Sequence, residues 1–500
     1  MFETIASEIS HLPDALWSIF LSPKMWGTIF LGSLMGYVVG VLPGLTSVMA
    51  CAMLLGFVFT LPYQYAFALF MGVYVSSMGA GGITAIMVNI PGTPAAAATC
   101  LDGFALARQG KARDAIGMSI TASFLGTVLS VLLMLFFLPS FSSIALKFGD
   151  WEIFLFCMFG VLVCGTLVGE SPIKGWISGI LGLLFAMVGI EEIQAQPRYT
   201  FGTLFMTQGL GLVPTLIGLF GLSEVLTVLL EKTTYRIVGK PGFARVRFQD
   251  LKKNIVNITQ SSLVGMFVGF IPGVGETVSC WFAYDLSKRS SKEKEKFGKG
   301  SLEGIAAAES ANNATGAGAL IPTLTLGVPG SGTTAIILAA LFMIGKRPGP
   351  LLLTEFPGFI CELAVISIMA AIALMIIGFS LSNWIIRFLS VPKEMLMPII
   401  GGLCVLGTWG SGFTAYNVWV MLIFGILGSW MKIKKYPVAP MVLGIVIGNI
   451  ADVSIRRALV QYSNDPLALF GRPIGLVIIG LLALMLYFSI KKRKELTGTA

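Results

Sequence analysis

Apolar runs separated by short polar connections occupy most of this 500-residue chain. Stretches of about 20 apolar residues are long enough to cross a bilayer core of about 30 Å. Backbone groups within lipid must bond to one another, and these stretches do not alternate in polarity, so they predict helices rather than barrel strands. The predicted apolar segments are 25–42, 45–60, 66–88, 95–107, 114–138, 151–168, 172–190, 209–230, 256–271, 278–286, 305–326, 333–345, 357–389, 395–409, 414–431, 437–450 and 470–490.

Composition supports the same conclusion. Hydrophobic residues make up 55% of the chain and charged residues only 12%, whereas a soluble domain has about 25% charged residues. The sequence therefore predicts an all-α polytopic membrane protein embedded in a lipid bilayer. Several segments are too short to span alone and cluster around Pro-Gly pairs, which indicates broken helices and re-entrant hairpins.

The sequence repeats itself along its length, in three anchors that occur in the same order. The first anchor recurs at an offset of 229 residues and the second at an offset of 238 residues. The paired stretches are 36–44 with 265–273, 89–93 with 327–331, and 179–182 with 425–428. Three ordered anchors predict two duplicated units.

Charge predicts that these units are inverted. Residues 1–24, before the first Pro-Gly pair, have a net charge of −2, and residues 231–253, before the second, have +5. Positive loops favour the cytoplasmic side, so equivalent positions should face opposite sides, as in inverted-topology transporter repeats. The predicted units are an N-terminal segment (1–24), a first transmembrane repeat (25–230), a basic cytoplasmic linker (231–255), a second transmembrane repeat (256–490) and a basic C-terminal tail (491–500).

Length favours a re-entrant hairpin in the second unit. Both flanks of residues 254–286 are basic, so both are expected on the cytoplasmic side. Two crossings need about 40 residues at a rise of about 1.5 Å each, and this segment has 33. A hairpin with its tip at 272–277 is favoured over two shortened, tilted helices.

Four Pro-Gly breaks are the candidate binding elements. A transported anion must be held where water is scarce, and the free N-terminal amides of broken helices attract anions. Proline ends the hydrogen-bond ladder, and glycine lets the backbone approach a ligand. We expect the breaks to converge between the repeats. The predicted substrate-binding residues are Pro43, Gly44, Thr46, Ser47, Asn89, Pro91, Gly92, Thr93, Pro272, Gly273, Gly275, Thr277, Pro329, Gly330, Ser331 and Thr333.

Polar residues near the breaks are the candidates for coupling to Na⁺ or H⁺. Glu276 lies at the predicted hairpin tip, where it either ligates Na⁺ or carries a proton, or else serves as a charge favoured by the helix dipole. Glu309, Asn312 and Asn313 form a polar cluster inside an apolar helix. For that cluster a cation or substrate site is the first interpretation, and interhelical hydrogen bonding is the second.

Other acidic residues receive structural assignments or none. Asp102 and Arg108 are assigned to a polar helix end. Solvated or interfacial positions near segment ends are assigned to Glu170, Glu191, Glu192 and Asp452. Glu224 and Glu362 lie deeper and isolated, and they stay unassigned.

The sequence argues against several other classes of protein. Its seven cysteines lie mostly in apolar segments without a CxxC pair, and its only histidine, His11, lies outside the apolar body. No cofactor is predicted, and no metal site beyond Na⁺ near Glu276 or Glu309. The net charge of +9 lies in short loops, which fits the positive-inside rule better than nucleic-acid binding.

The motifs at the breaks are similar to those of the tripartite tricarboxylate transporter family, in its large membrane subunit (the TctA family). The resemblance covers essentially the whole chain. Its most specific parts are residues 40–44, 79–94, 270–275, 309–322 and 327–331. It implies a permease in the bacterial inner membrane that imports citrate or other carboxylates by alternating access, driven by Na⁺ or H⁺. It also implies two partners, a periplasmic solute-binding protein and a small membrane subunit of about four helices.

Three alternatives remain open at this point. A stand-alone ion-coupled carboxylate symporter would need no binding protein. An intramembrane hydrolase would need a base near Ser331 or Ser411, and the chain offers only His11 or loop lysines. A purely structural subunit would leave four broken helices without a purpose. No Walker motif is present, so ATP hydrolysis by this chain is not expected.

Overall fold

The computed structural model describes residues 2–42, 45–58, 60–168, 171–230, 243–384, 393–462 and 471–497, and these ranges are almost entirely helical. The helices are α1 (Phe2–Ile9), α2 (Leu12–Ala15), α3 (Pro23–Val41), α4 (Ser47–Val58), α5 (Tyr63–Val88), α6 (Ala97–Arg108), α7 (Ala112–Ala145), α8 (Asp150–Leu167), α9 (Pro172–Ala186), α10 (Leu204–Thr207), α11 (Leu212–Leu216), α12 (Ser223–Leu230), α13 (Phe248–Gly269), α14 (Gly275–Ser290), α15 (Leu302–Leu326), α16 (Gly332–Met343), α17 (Leu352–Glu355), α18 (Phe359–Leu381), α19 (Lys393–Gly410), α20 (Ala415–Ile433), α21 (Val438–Gln461) and α22 (Pro473–Thr497). A π-helical turn, Ile217–Leu222, joins α11 to α12. Two short antiparallel strands, β1 (Gly189–Ile190) and β2 (Pro197–Arg198), pair in the connection after α9.

Within the described ranges, eight helical segments are long and apolar enough to cross a membrane. They are Pro23–Val41, Tyr63–Val88, Ala112–Ala145, Asp150–Leu167, Leu212–Leu230, Phe359–Trp384, Ala415–Ile433 and Val438–Gln461. The prediction of an all-α polytopic membrane protein is confirmed. Shorter apolar helices, among them α4 and α16, accompany these segments.

Local sequence explains where the central helices begin and end. The hydroxyl of Ser301 accepts a hydrogen bond from the backbone of Gly304 (3.2 Å) and thereby caps the start of α15. That helix ends at Gly327, whose φ of +70° lies in the left-handed region that glycine adopts without strain. Asn89 ends α5 in the same conformation, with a φ of +58°. These two ends therefore have the same backbone geometry, at positions that the sequence repeat pairs.

Two helix pairs in the core make matching contacts. A Cβ atom at Gly36 of α3 would lie 2.4 Å from the carbonyl oxygen of Val73 in α5, and one at Gly265 of α13 would lie 2.2 Å from that of Ala311 in α15. The residue numbers differ by 229 for the glycines (265 − 36) and by 238 for their partners (311 − 73). The pair α3–α5 and the pair α13–α15 are thus packed alike, at the offsets found in the sequence.

The outer helices are exchanged between the halves of the chain. Helix α9 packs on α21, and α20 packs on α11, α12 and the π-helical turn between them. A Cβ at Gly182 of α9 would lie 2.1 Å from the carbonyl oxygen of Met441, and one at Gly425 of α20 would lie 2.5 Å from Leu222. Each half therefore completes part of its core with a helix from the other half.

The hairpin formed by α13 and α14 is longer than its apolar limits. The two helices have 22 and 16 residues and span 248–290, beyond the predicted 254–286. The length argument for a re-entrant hairpin is therefore weaker than it is in the sequence alone. Re-entry and the inverted arrangement stay predictions, and most of the predicted linker (231–242 of 231–255) lies outside the described residues.

Asp102 joins α6 to the connection before α15. One of its carboxylate oxygens accepts hydrogen bonds from the backbone amides of Gly298 (2.8 Å), Gly300 (2.9 Å) and Ser301 (2.8 Å), and the other accepts one from the hydroxyl of Tyr284 (2.8 Å). Asp102 is fully buried, so its assignment to a polar helix end is wrong. Arg108 does lie in the last turn of α6. The four bonds compensate the cost of burying the carboxylate.

The other acidic residues have mostly acquired partners. Asp452 pairs with Arg198 (2.8 Å) and with Arg456 (3.0 Å). Glu224, which the sequence left unassigned, pairs with Lys432 (2.5 Å), and Glu362 accepts a hydrogen bond from Tyr63 (2.8 Å). Glu191 is buried and accepts hydrogen bonds from the backbone of Ile193 and Gln194 (2.8 Å each), Glu192 is exposed, and Glu170 lies outside the described residues.

We predict that Asp102→Ala lowers the stability of the protein by several kcal/mol, since each hydrogen bond to a charged group contributes about 1.5–3 kcal/mol and its donors would stay buried. Thermal denaturation of the purified protein, followed by size-exclusion chromatography, measures the effect. The matched control is Asp285→Ala, which removes only an exposed ion pair with Arg289 (2.7 Å) and should change stability little. Equal melting temperatures for the two variants would contradict the assignment.

Candidate functional site

Three helices begin close together in the core. They are α4 at Ser47, α14 at Gly275 and α16 at Gly332. The breaks before α14 and α16 bond to each other through their backbones, from the amide of Gly273 to the carbonyl of Pro329 (3.2 Å) and from that of Gly275 to Gly330 (3.1 Å). Backbone groups freed by the breaks are thus partly satisfied by one another, as an apolar surrounding requires.

Glycine is needed at these breaks for two separate reasons. Gly273 has a φ of +72°, and a Cβ there would lie 2.5 Å from Cys164. Gly330 is limited by space, because a Cβ there would lie 2.6 Å from both the carbonyl oxygen of Gly269 and the Cα of Ala319. Both positions therefore exclude any side chain unless the backbone moves.

Hydroxyl groups and one carboxylate connect the three helix starts. The hydroxyl of Tyr74 donates to Glu276 (2.6 Å) and shares a longer hydrogen bond with Ser331 (3.4 Å). Ser47 and Thr333 share another (3.2 Å). We call these five residues the paired-break site.

The electrostatics of the paired-break site favour an anion. Free backbone amides and the positive end of the dipole lie at each helix start, and hydroxyl groups can donate to carboxylate oxygens. Glu276 lies in the first turn of α14, where the dipole stabilises its charge. Ser331 caps α16 by accepting a hydrogen bond from the backbone of Thr334 (3.3 Å).

A second polar group surrounds Glu309 of α15. One carboxylate oxygen accepts a hydrogen bond from Thr99 (2.5 Å) and the other accepts one from Ser123 (3.3 Å). Ser119 of α7 and Asn312 of α15 adjoin the same carboxylate. We call these five residues the Glu309 pocket. Glu309 is fully buried, so its charge or proton has no direct access to solvent in this conformation.

Several predicted substrate-binding residues lie in or beside the paired-break site, but not all of them do. Ser47, Ser331 and Thr333 belong to the site, and Gly273, Gly275, Pro329 and Gly330 form the backbone bonds beside it. Thr46 accepts a hydrogen bond from the backbone of Met49 (3.2 Å) at the start of α4, Pro272 packs near Gly160, and Thr277 is exposed. Pro43 and Gly44 lie outside the described residues.

The break at 89–94 has different neighbours. The amide of Gly92 bonds to the carbonyl of Gly81 in α5 (3.2 Å), and Thr93 is buried beside Gly81. Asn89 is exposed and Pro91 is half-buried. Helix α6 follows this break and brings Thr99 to Glu309. No direct hydrogen bond among the described residues joins this break to the paired-break site.

The predicted coupling residues divide between the two groups. Glu276 belongs to the paired-break site, and Glu309 and Asn312 belong to the Glu309 pocket. Asn313 donates to the backbone of Val75 (3.2 Å) and to Thr127 (3.2 Å). Asn312 donates to the backbone of Met78 (3.3 Å). Both amides therefore hold α15 against α5, which agrees with interhelical hydrogen bonding as at least one of their roles.

Sequence reasoning missed Tyr74, the residue that links Glu276 to Ser331. The repeat contained a signal for it, because the second offset pairs Tyr74 with Asn312 (74 + 238). The first offset likewise pairs Ser47 with Glu276 (47 + 229). Reading the repeat as a list of equivalent functional positions would have singled out Tyr74.

The fold and the site define a polytopic membrane protein with anion-suited helix starts in its core. Residues 27–443 match the family described as "Tripartite tricarboxylate transporter TctA family". The chain belongs to this transporter family, as its motifs indicated, and the family is not one of enzymes.

Two relatives from Agrobacterium vitis are also similar. An uncharacterised 52.8 kDa protein in the TAR-I ttuC′ 3′ region is 30% identical over 472 residues, which cover 93% of this chain and 94% of the relative. An uncharacterised protein in the TAR-II ttuC′ 3′ region is 30% identical over 235 residues, or 46% of this chain and 97% of the relative. No solved structure matches.

We predict that Gly330→Ala lowers the melting temperature of the purified protein, because its methyl group would be forced against the backbone of Gly269 and Ala319. Overpacking of this kind costs about 1–3 kcal/mol. The control is Gly402→Ala in α19, where a Cβ meets nothing within 4 Å and where alanine is the better helix former. A Gly330→Ala protein as stable as the control would show that the contact can relax.

Proposed function

We propose that this chain is the large permease subunit of a binding-protein-dependent tripartite tricarboxylate transporter. It imports citrate or related carboxylates across the bacterial inner membrane by secondary active transport and alternating access. Membership of the TctA family supports the class of transporter. The observation that carries the substrate proposal is the meeting of three helix starts with their hydroxyl groups at the paired-break site.

A carboxylate substrate suits the chemistry of that site. Exposed amides at helix starts and hydroxyl donors replace the water that a carboxylate loses on entering the protein. A tricarboxylate has several such groups, and three converging helix starts can each receive one. Glu276 would repel a bare anion, so a bound cation or proton beside it would assist binding.

Alternating access follows from the proposed duplication. We propose that residues 25–230 and 256–490 are inverted repeats, because their core pairs α3–α5 and α13–α15 pack alike and their outer helices are exchanged. Such repeats hold a substrate at their interface and open to one side at a time. Rocking and elevator movements are both compatible with this arrangement.

The partners are proposed from the family. A periplasmic solute-binding protein would deliver the carboxylate, and a small membrane subunit of about four helices would accompany the permease. Na⁺ or H⁺ would drive import, with Glu276 and Glu309 as the two coupling carboxylates. A stand-alone carboxylate symporter is the alternative, and uptake measurements distinguish the two.

The test is uptake of labelled citrate and a panel of dicarboxylates into vesicles that contain both membrane subunits. We expect uptake only with the cognate binding protein outside and only under one of two separately imposed gradients, Na⁺ or H⁺. Uptake without the binding protein would favour the stand-alone symporter. Absence of uptake for every carboxylate, from vesicles with intact protein, would refute the proposed substrate class.

A second test concerns Tyr74. We predict that Tyr74→Phe reduces uptake about tenfold or more, since it removes a hydrogen bond to a charged group that contributes about 1.5–3 kcal/mol, and about 1.4 kcal/mol corresponds to tenfold. The control is Tyr37→Phe in α3, because the buried hydroxyl of Tyr37 has no hydrogen-bond partner among the described residues. Both proteins should be present at wild-type levels. Equal uptake by the two variants would remove Tyr74 from the site.

A further inference from the structure

Buried oxygen atoms without hydrogen-bond partners are concentrated between α5, α7 and α15. Among the described residues, five such atoms lie on these helices and on the break before α6. They are Ser76 Oγ, Thr93 Oγ1, Ser119 Oγ, Asn312 Oδ1 and Asn313 Oδ1, and each of these residues is at most 3% exposed. Buried polar atoms normally have partners, so a concentration of this kind needs a physical explanation.

Ser119 and Glu309 share one small space. A Cβ at Gly82 of α5 would lie 2.3 Å from Glu309 Oε1 and 2.6 Å from Ser119 Oγ. The two oxygens are therefore at most 4.9 Å apart (2.3 + 2.6). Glycine at position 82 leaves room for both oxygens, and any other residue would fill the space between α5 and the carboxylate.

The donors around Glu309 are few for a fully buried carboxylate. Thr99 and Ser123 donate to it, and the amide group of Asn312 adjoins it. No lysine or arginine pairs with it in the described part of the chain. A buried charge without a counter-charge is costly, and hydroxyl groups leave the net charge unchanged. A cation would neutralise the carboxylate and use oxygen lone pairs that otherwise have no partner.

The chemistry of the oxygens selects the kind of cation. Carboxylate, hydroxyl and amide oxygens are ligands for hard cations. One carboxylate balances one positive charge, and divalent sites usually collect more acidic ligands. No group of three His, Cys, Asp or Glu side chains converges anywhere in the described ranges. The ligand set therefore fits a monovalent ion.

We propose that the Glu309 pocket binds Na⁺, with the carboxylate of Glu309 as its charged ligand and the oxygens of Ser119, Ser123, Thr99 and Asn312 as neutral ligands. Only the coupling role of this ion rests on the proposed function. Helix α15 extends from Glu309 to Thr315, which shares a hydrogen bond (2.6 Å) with Ser279 of α14. A rise of about 1.5 Å per residue places that bond about 9 Å along the helix. Ion binding can thus reach the paired-break site through one rigid helix.

Thermal stability of the purified full chain in detergent tests the proposal without any substrate or partner. NaCl replaces choline chloride at constant ionic strength, and a ligand that binds only the folded protein raises its melting temperature in a saturable way. We expect this rise for the wild type. For Glu309→Gln and Ser119→Ala we expect the apparent Na⁺ affinity to fall tenfold or more. Gly82→Ala should abolish the rise by filling the space.

The matched control is Glu303→Gln, a carboxylate change two turns earlier in α15, where Glu303 accepts a hydrogen bond from Ser291 (2.6 Å). This variant should respond to Na⁺ as the wild type does. Ser119→Ala removes one hydroxyl group, so it keeps the test decisive if Glu309→Gln does not fold.

Three outcomes would overturn the site. They are a wild type that Na⁺ does not stabilise beyond choline, an unchanged Na⁺ response in Ser119→Ala together with Glu309→Gln or Gly82→Ala, and loss of the response in Glu276→Gln alone, which would place the ion at the paired-break site. Because no uptake is measured, a failure of carboxylate transport would refute the proposed function and leave this result standing.

Discussion

The structure depends on one constraint: helices that break inside an apolar body must find partners for the backbone groups they release. The breaks before α14 and α16 meet this constraint by bonding to each other, through Gly273 and Pro329 and through Gly275 and Gly330. These bonds require close approach, so glycine occupies the contact positions. They also bring two helix starts side by side, and the site for an anion is a direct result of satisfying the backbone.

The same two long helices serve both polar groups in the core. Helix α5 contributes Tyr74 to the paired-break site and Gly82 to the space beside Glu309. Helix α15 contributes Glu309 at one point and Thr315, bonded to α14, at another. Amide side chains of Asn312 and Asn313 fix the two helices to each other. Any movement of α5 relative to α15 would therefore change both groups at once, which is the geometry that coupling between two sites requires.

Much of the fold could be predicted from the sequence, and the reasons are physical. Continuous apolar runs predicted the helices because lipid allows few other structures, and the repeat predicted which glycines would be equivalent. The site was predicted only in part. The Pro-Gly motifs located the breaks, but a motif does not show which breaks touch, and the break at 89–94 lies against α5 and leads to Glu309. Tyr74 and Asp102 were missed or misassigned because their partners are about 200 residues away in sequence: 202 for Tyr74 and Glu276 (276 − 74), and 182 for Asp102 and Tyr284 (284 − 102).

The exchange of outer helices has a consequence for biosynthesis. Helix α9 ends at residue 186, and α21, on which it packs, begins at residue 438, so 252 further residues (438 − 186) must be made before the contact can form. At about 5–20 residues per second, this takes roughly 13–50 s. During that interval the small-residue face of α9 has only lipid or an assembly factor to cover it. Neither half of the chain can therefore finish folding on the ribosome before the other half has been inserted.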